Sequence, residues 1–149
     1  MINFFTDIFE FHHKLNQLLI NQMIEVPDKL SQKATLLLCH SLNAHQIWNS
    51  RITNEQPIGV FEIHSLNDCF KLNQSNFDKT KIILQDENFQ TNVSYQNSKG
   101  VNYNNTVQQI LFHISNHNSY HRGQLISELK NQGIEPIISD YICYRRTEI

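Results

Sequence analysis

Apolar residues return every three or four places at the start of the chain, at Phe4, Ile8, His12, Leu15 and Leu19, with Phe5, Leu18 and Met23 broadening the stripe. That period predicts an amphipathic first helix, which must end before Pro27. Asp28 or Ser31 can cap a second helix running to about Arg51, with Leu37, His40, Ala44 and Ile47 as its inward stripe and Trp48 flanking it. Residues 53–64 contain Pro57 and Gly59 and read as a connection, after which Ser65 and Asp68 resemble a capping box opening a third helix to about Gln85. Over residues 89–104 the period changes to alternation. Val93 and Tyr95, then Val101 and Tyr103, flank Asn97-Ser98-Lys99-Gly100 and predict a short β-hairpin. Asn105 followed by Gln108 can open a fourth helix, stopped by Gly133 and Pro136 and on the order of 40 Å long. Residues 137–149, with Tyr141 and Tyr144, are expected to pack back on the helices. The pattern describes an all-α fold with one hairpin, without internal repeats.

Composition narrows the classes of function. A length of 149 residues, 40% hydrophobic content and nine Phe suit one domain, 1–149, with a single sizeable core. A formal charge of −2 with 17% charged residues gives no broad basic surface, so nucleic-acid binding has no electrostatic support. The longest apolar runs, such as residues 35–39, are far shorter than the roughly 20 residues that span a bilayer, so no membrane role is expected. The first residues carry Asp7 and Glu10 among the apolar positions and lack a basic lead, which argues against an export signal. Cys39, Cys69 and Cys143 are too few and too scattered for a disulfide framework or a thiolate zinc site, and a reducing cytoplasm fits them best.

Eight histidines stand out against this background. On the fourth helix Ile110, Ile114, His117, His121 and Leu125 form one inward stripe, and residues four apart lie about 40° apart around the axis, with Cβ atoms roughly 5–6 Å apart. Two such imidazoles can chelate one ion, and His40 on the second helix could be brought opposite them. A three-imidazole set leaves positions open for water or substrate, contributes no anion to dilute the charge, and suits zinc or nickel, although imidazole also binds copper and iron. Such a pair can equally be simply hydrogen-bonded, and His113, one turn before His117, leaves spacing undecided between the pairs 113/117 and 117/121. His12 reads better as a satisfied core histidine than as a ligand. Cys39 points about 100° from His40 and reads as packing.

The segments L-F-H-I-S-N-H-N-S-Y-H-R-G-Q (111–124) and L-C-H-S-L-N-A-H-Q-I-W-N-S-R-I (38–52), the hairpin before the last long helix and the closing D-Y-I-C-Y-R-R (140–146) resemble the DinB/YfiT-like damage-inducible family. The resemblance implies a four-helix bundle carrying a divalent metal, zinc or nickel, on one histidine of the second helix and two of the fourth. Carried over, these are His40, His117 and His121, with His113 in the surrounding shell or pocket; Arg122 and Gln124 are candidates to orient ligands or bind substrate, Arg122 equally reading as a solvated or ion-paired side chain, and Trp48 reads more readily as core than as a pocket residue. His45 stands where many such relatives have a carboxylate and, five residues from His40, points about 140° away, a poor fourth ligand. Gly123, which costs a helix about 1 kcal/mol relative to Ala, is expected to permit close helix packing beside the site.

Two roles follow as expectations, and no catalytic residue beyond the ligands is assigned. One is a metal-dependent thiol transferase or hydrolase acting on small electrophiles in stress or detoxification, as the resemblance implies. The other is a non-catalytic protein binding a metal or small ligand, which a sealed ion would favour and an open, substrate-sized pocket would disfavour. Homodimerisation is expected from the resemblance alone, and a DNA-directed role is opposed by the acidic balance.

Overall fold

The computed structural model describes residues 1–86, 88–97 and 99–147. Four long helices, α1 (Ile2–Glu25), α2 (Gln32–Thr53), α3 (Leu66–Gln85) and α4 (Val107–Asn131), pack in a ring in which α1 and α2 each touch both α3 and α4. Strands β1 (Asn92–Gln96) and β2 (Asn102–Thr106) form the antiparallel hairpin before α4, in a register that pairs Tyr95 with Tyr103. A short α5 (Tyr141–Arg145) closes the chain. The four-helix bundle with one hairpin is therefore the observed architecture.

Local chemistry explains the boundaries. Ser31 caps α2 by accepting from the Ala34 amide, and Ser65 caps α3 by accepting from the Asp68 amide. The capping box of α4 lies one residue later than expected, on Thr106 and Gln109 rather than Asn105 and Gln108; the Asn105 side-chain oxygen instead accepts from the Tyr95 hydroxyl at 2.7 Å. The helix ends where Gly133 turns left-handed (φ 71°), letting its amide reach the Lys130 carbonyl and that of Ile134 reach Leu129. In the hairpin turn the Asn97 side chain accepts from the amides of Lys99 and Val101; Ser98, assigned to this turn from sequence, lies outside the described residues, as do 148 and 149 of the tail. The tail does pack back: Tyr141 and Tyr144 cover Phe11, with ring centroids 5.2 and 5.4 Å away, and Arg145 reaches Asp7 and Glu10.

The core is divided. Leu19, Met23, Leu38, Leu42, Leu125 and Leu129 fill one end of the bundle and Phe5, Phe9, Leu84, Ile110 and Ile114 fill the other. Between them each of the four long helices contributes buried polar side chains. Asn16 donates to Asn73 (3.1 Å) and Asn118 (3.4 Å), Ser41 donates to Asn118 (3.2 Å), and Asn76 and Asn49 donate to the main-chain carbonyls of Leu42 and Asn76. Buried amides cost free energy unless paired, and this layer pairs them. It also rotates the helices relative to the apolar stripes. The α4 inward line runs through Leu111, Asn118, Arg122 and Leu129, placing His117 and His121 on its flank, and the α2 line runs through Leu38, Leu42, His45 and Asn49, leaving Leu37 and His40 half-buried. Phe4 and Leu18 of the expected α1 stripe face solvent for the same reason, their places taken by Phe9, Asn16 and Ile20.

His12 is the satisfied core histidine expected. Arg122 donates to its Nδ1 (3.0 Å), which leaves Nε2–H to donate to Ser115 Oγ (3.0 Å), and burial, followed by the charge of Arg122, holds its pKa well below the ordinary histidine value. His45 Nε2 lies 2.8 Å from Thr80 Oγ1 in the same layer. Burial pushes its pKa down to about 3. Cys39 is packing: its Sγ lies 3.7 Å from Cys69 Sγ, bridging α2 to α3 inside the core. Among the described residues no helix is long and apolar enough to cross a membrane.

Candidate metal centre

The rotation of α2 and α4 that turns Asn118 and Ser41 into the core turns His40, His117 and His121 toward one another along the α2–α4 seam. Ring centroids are 5.3 Å apart for His40 and His117, 4.7 Å for His40 and His121, and 4.3 Å for His117 and His121. One ring nitrogen from each lies within 4.8 Å of those of the other two, a spread that small rotations of half-buried rings can close on one ion. His113, the competing partner one turn earlier, is 5.5 Å from His117 by centroid but falls outside this cluster, so the geometry gathers the 117/121 pair.

The donor set suits a divalent cation. His40 Nδ1 is buried without a hydrogen-bond partner, a cost that coordination through that nitrogen would offset. The Gln124 carbonyl oxygen accepts from His121 Nδ1 at 2.7 Å, which fixes the tautomer and leaves Nε2 with a free lone pair. Burial, then the proximity of His121, His40 and His113, lowers the His117 pKa to about 4, so this ring is neutral at physiological pH. His121 is also lowered, chiefly by burial, with the Gln124 bond opposing and His40 adding to the shift. Neutral imidazoles are what a metal requires.

The four surrounding residues assigned from sequence divide. Gln124 touches His121 directly. Trp48 packs edge-on against His113 (5.0 Å) and against Tyr95 (5.0 Å), with the Arg51 guanidinium 4.2 Å over its ring, so Trp48 and His113 form a wall leading to His117. Arg122 is a correction. One residue beyond His121 it points about 100° away, into the core, where it is buried on His12 and 4.9 Å over Phe11, and it forms no part of the histidine cluster. Gly123 is a second correction: no atom lies within 4 Å of where its Cβ would be, so no close helix packing requires it. Gly123→Ala should therefore stabilise the fold by about 1 kcal/mol, raising Tm by roughly 2–4 °C. An unchanged or lowered Tm in a thermal melt would show that the residue has another constraint.

Two neighbours of the cluster escaped the sequence reading. Phe61, in the α2–α3 connection, lies nearly parallel to His40 at 6.1 Å, and Tyr120 stands edge-on to His121 at 5.0 Å. An aromatic inside a Pro- and Gly-containing polar connection was the available signal for Phe61. Two cavities that share Lys33 and Leu37 lie near the cluster: one of about 320 Å³ is lined by His40 with Leu36, Leu37 and Phe61, and one of about 450 Å³ by Gln124 with Leu37, Tyr120 and Ser127, without reaching a cluster histidine. A larger concavity of about 720 Å³ near β1 lies away from the histidines and gathers no metal-ligating cluster among the described residues.

Comparison with known proteins follows the same lines. A model of the DinB family matches residues 25–149. The chain is also 22% identical to Protein DinB of Bacillus subtilis (strain 168) over 164 aligned positions, covering 97% of this chain and 95% of that protein.

Proposed function

Because the chain belongs to the DinB family and presents three converging imidazoles, we propose that it binds a divalent metal, zinc or nickel, on His40, His117 and His121 and uses it to transfer a small thiol to an electrophile. The observation that carries this reading is the cluster itself: three ring nitrogens within 4.8 Å of one another, with His40 lining a cavity of about 320 Å³, the small end of substrate-sized pockets. A sealed cluster would have favoured a purely binding role.

When bound, the ion supplies Lewis acidity that makes a thiol or water reaching it deprotonate near neutral pH. The chain's own residues supply the rest. His117 stays neutral because it is buried, and Gln124 holds His121 in the ligating tautomer. Trp48 and His113 pack edge-on beside His117, and the exposed Phe61 ring lies over His40. No carboxylate joins the cluster among the described residues, and His45, where many relatives have one, is buried against Thr80 on another face. General-base help from a carboxylate is therefore not part of the proposal. The thiol loses its proton, its sulfur forms the new bond to carbon, and the electrophile releases its leaving group or, for an activated double bond, takes up a proton.

The test is turnover of 1-chloro-2,4-dinitrobenzene with a panel of low-molecular-weight thiols by the metal-loaded chain. His117→Ala and His121→Ala are expected to lose at least about 100-fold in kcat/KM, the order of effect of removing a principal electrostatic stabiliser. Rates equal to the parent's would eliminate the proposal. A family role in damage responses, cytoplasmic residence and homodimerisation are consistent extensions of this reading, each to be tested separately.

A further inference from the structure

Phe61 is the most conspicuous exposed apolar side chain near the cluster, 82% accessible, yet its position is fixed. The fully buried Asn43 side chain donates to the main-chain carbonyls on either side of it, Val60 at 3.4 Å and Glu62 at 2.8 Å, while His64 Nε2 lies 2.8 Å from Asn43 Oδ1. The Gly59 and Glu62 main chains close the turn, and Ile58 is tied to Gln46. A polar clamp inside the bundle thus holds an aromatic ring out of the core and over His40.

The cleft beneath this ring is almost wholly apolar, walled by Leu36 and Leu37 of α2 and floored by His40. The two charged groups at its margin are already committed: Lys33 pairs with Glu128 at 2.8 Å, and a Glu62 carboxylate oxygen accepts from the Gly59 amide at 3.2 Å. The cavity beyond, on the α4 side, is polar by comparison, with Gln124, Ser127 and Asn131 on its surface. The two cavities therefore differ in what they can desolvate, and of the two only the apolar one reaches a cluster histidine. His40 belongs both to the cluster and to the apolar cavity, so a molecule seated there lies directly beside the ion position.

We propose that the Phe61–Leu36–Leu37 cleft is the subsite for the apolar body of a small, uncharged substrate, with Phe61 as its specificity-determining residue. The inference rests on the metal-site reading and adds to it the class of electrophile: neutral and aromatic or branched-aliphatic, its reacting end directed toward the three histidines. At about 320 Å³ the cleft lies at the small end of ligand pockets, which favours compact molecules over extended chains.

Two metal-binding probes that differ only in their apolar body provide the test, benzohydroxamate and acetohydroxamate, titrated calorimetrically into the full, zinc-loaded chain. Benzohydroxamate is expected to bind at least tenfold more tightly. Phe61→Ala should reduce that preference to about twofold while leaving acetohydroxamate affinity unchanged, and Phe61→Tyr should restore it. In methyl NMR spectra the Leu36 and Leu37 signals should shift with benzohydroxamate only. Acetohydroxamate binding that depends on His117, with no preference for the phenyl probe, would overturn the cleft proposal and leave the metal site standing. Binding of neither probe, or binding unaffected by His117→Ala, would remove both. Self-association of the parent chain that Phe61→Ala abolishes would assign the cleft to a second copy and also overturn the proposal.

Discussion

Lowering the pH of metal-free protein from 7.5 to 5 should cost the fold about 2 kcal/mol through His45 alone. Burial holds the His45 pKa near 3 in the folded chain, against about 6.5 when unfolded. Below pH 6.5 the unfolded chain takes up a proton that the folded chain refuses. Stability is therefore complete above about pH 7 and falls with acidification by about 1.4 kcal/mol per unit until the folded pKa is approached. His12, lowered by burial and by Arg122, acts in the same direction. Domains of this size have only about 5–15 kcal/mol in total, so the loss is a substantial fraction. Denaturant unfolding at the two pH values measures it. His45→Gln, which keeps a donor near Thr80, should remove the about 2 kcal/mol due to that ring and leave the part due to His12 and to His117, whose pKa is also lowered; equal stability at pH 7.5 and 5 would contradict the neutral state assigned to these rings.

Loading with zinc or nickel should raise stability by a comparable or larger amount. An ion present at 1,000 times its Kd and bound only by the folded state contributes about 4.1 kcal/mol, or roughly 10 °C in Tm for a chain of this length. The increment should vanish in His40→Ala, His117→Ala and His121→Ala and persist in His113→Ala, which lies outside the cluster. Arg122→Ala should lower the Tm of loaded and metal-free protein alike, because it removes the partner of His12 rather than anything at the ion. A metal-dependent increment that survives His117→Ala would move the ion elsewhere.

Hydrophobic periodicity locates α1, α2 and α4 well, and the Ser65 capping signal locates α3, whose buried face is half polar. It placed the faces less well at mid-bundle, where the core is made of Asn16, Asn73, Asn118, His12, His45 and Arg122. A stripe drawn through apolar residues alone cannot see such a layer, so the inward line of α4 was drawn one residue early, through His117 and His121, and Arg122 was placed beside the site. The α4 cap was also drawn one residue early, Asn105 being as good a capping residue as Thr106 until the hairpin register is known. The histidine cluster was legible from i, i+4 spacing only as far as a choice between two pairs. Resolving it required the relation of α2 to α4, which the family pattern implied and the backbone geometry supplies. Phe61 shows in the sequence only as an aromatic within a polar connection; nothing local announces that Asn43, eighteen positions earlier, clamps that connection.

X-ray absorption at the metal edge of the reconstituted full-length chain bears most directly on the three-imidazole centre. The expected spectrum has a first shell of nitrogen and oxygen at about 2.0–2.1 Å and the outer-shell scattering of three imidazoles, for zinc, reduced to two in His121→Ala wherever that variant still retains the ion. A shell containing sulfur near 2.3 Å, or one imidazole or none, would contradict it.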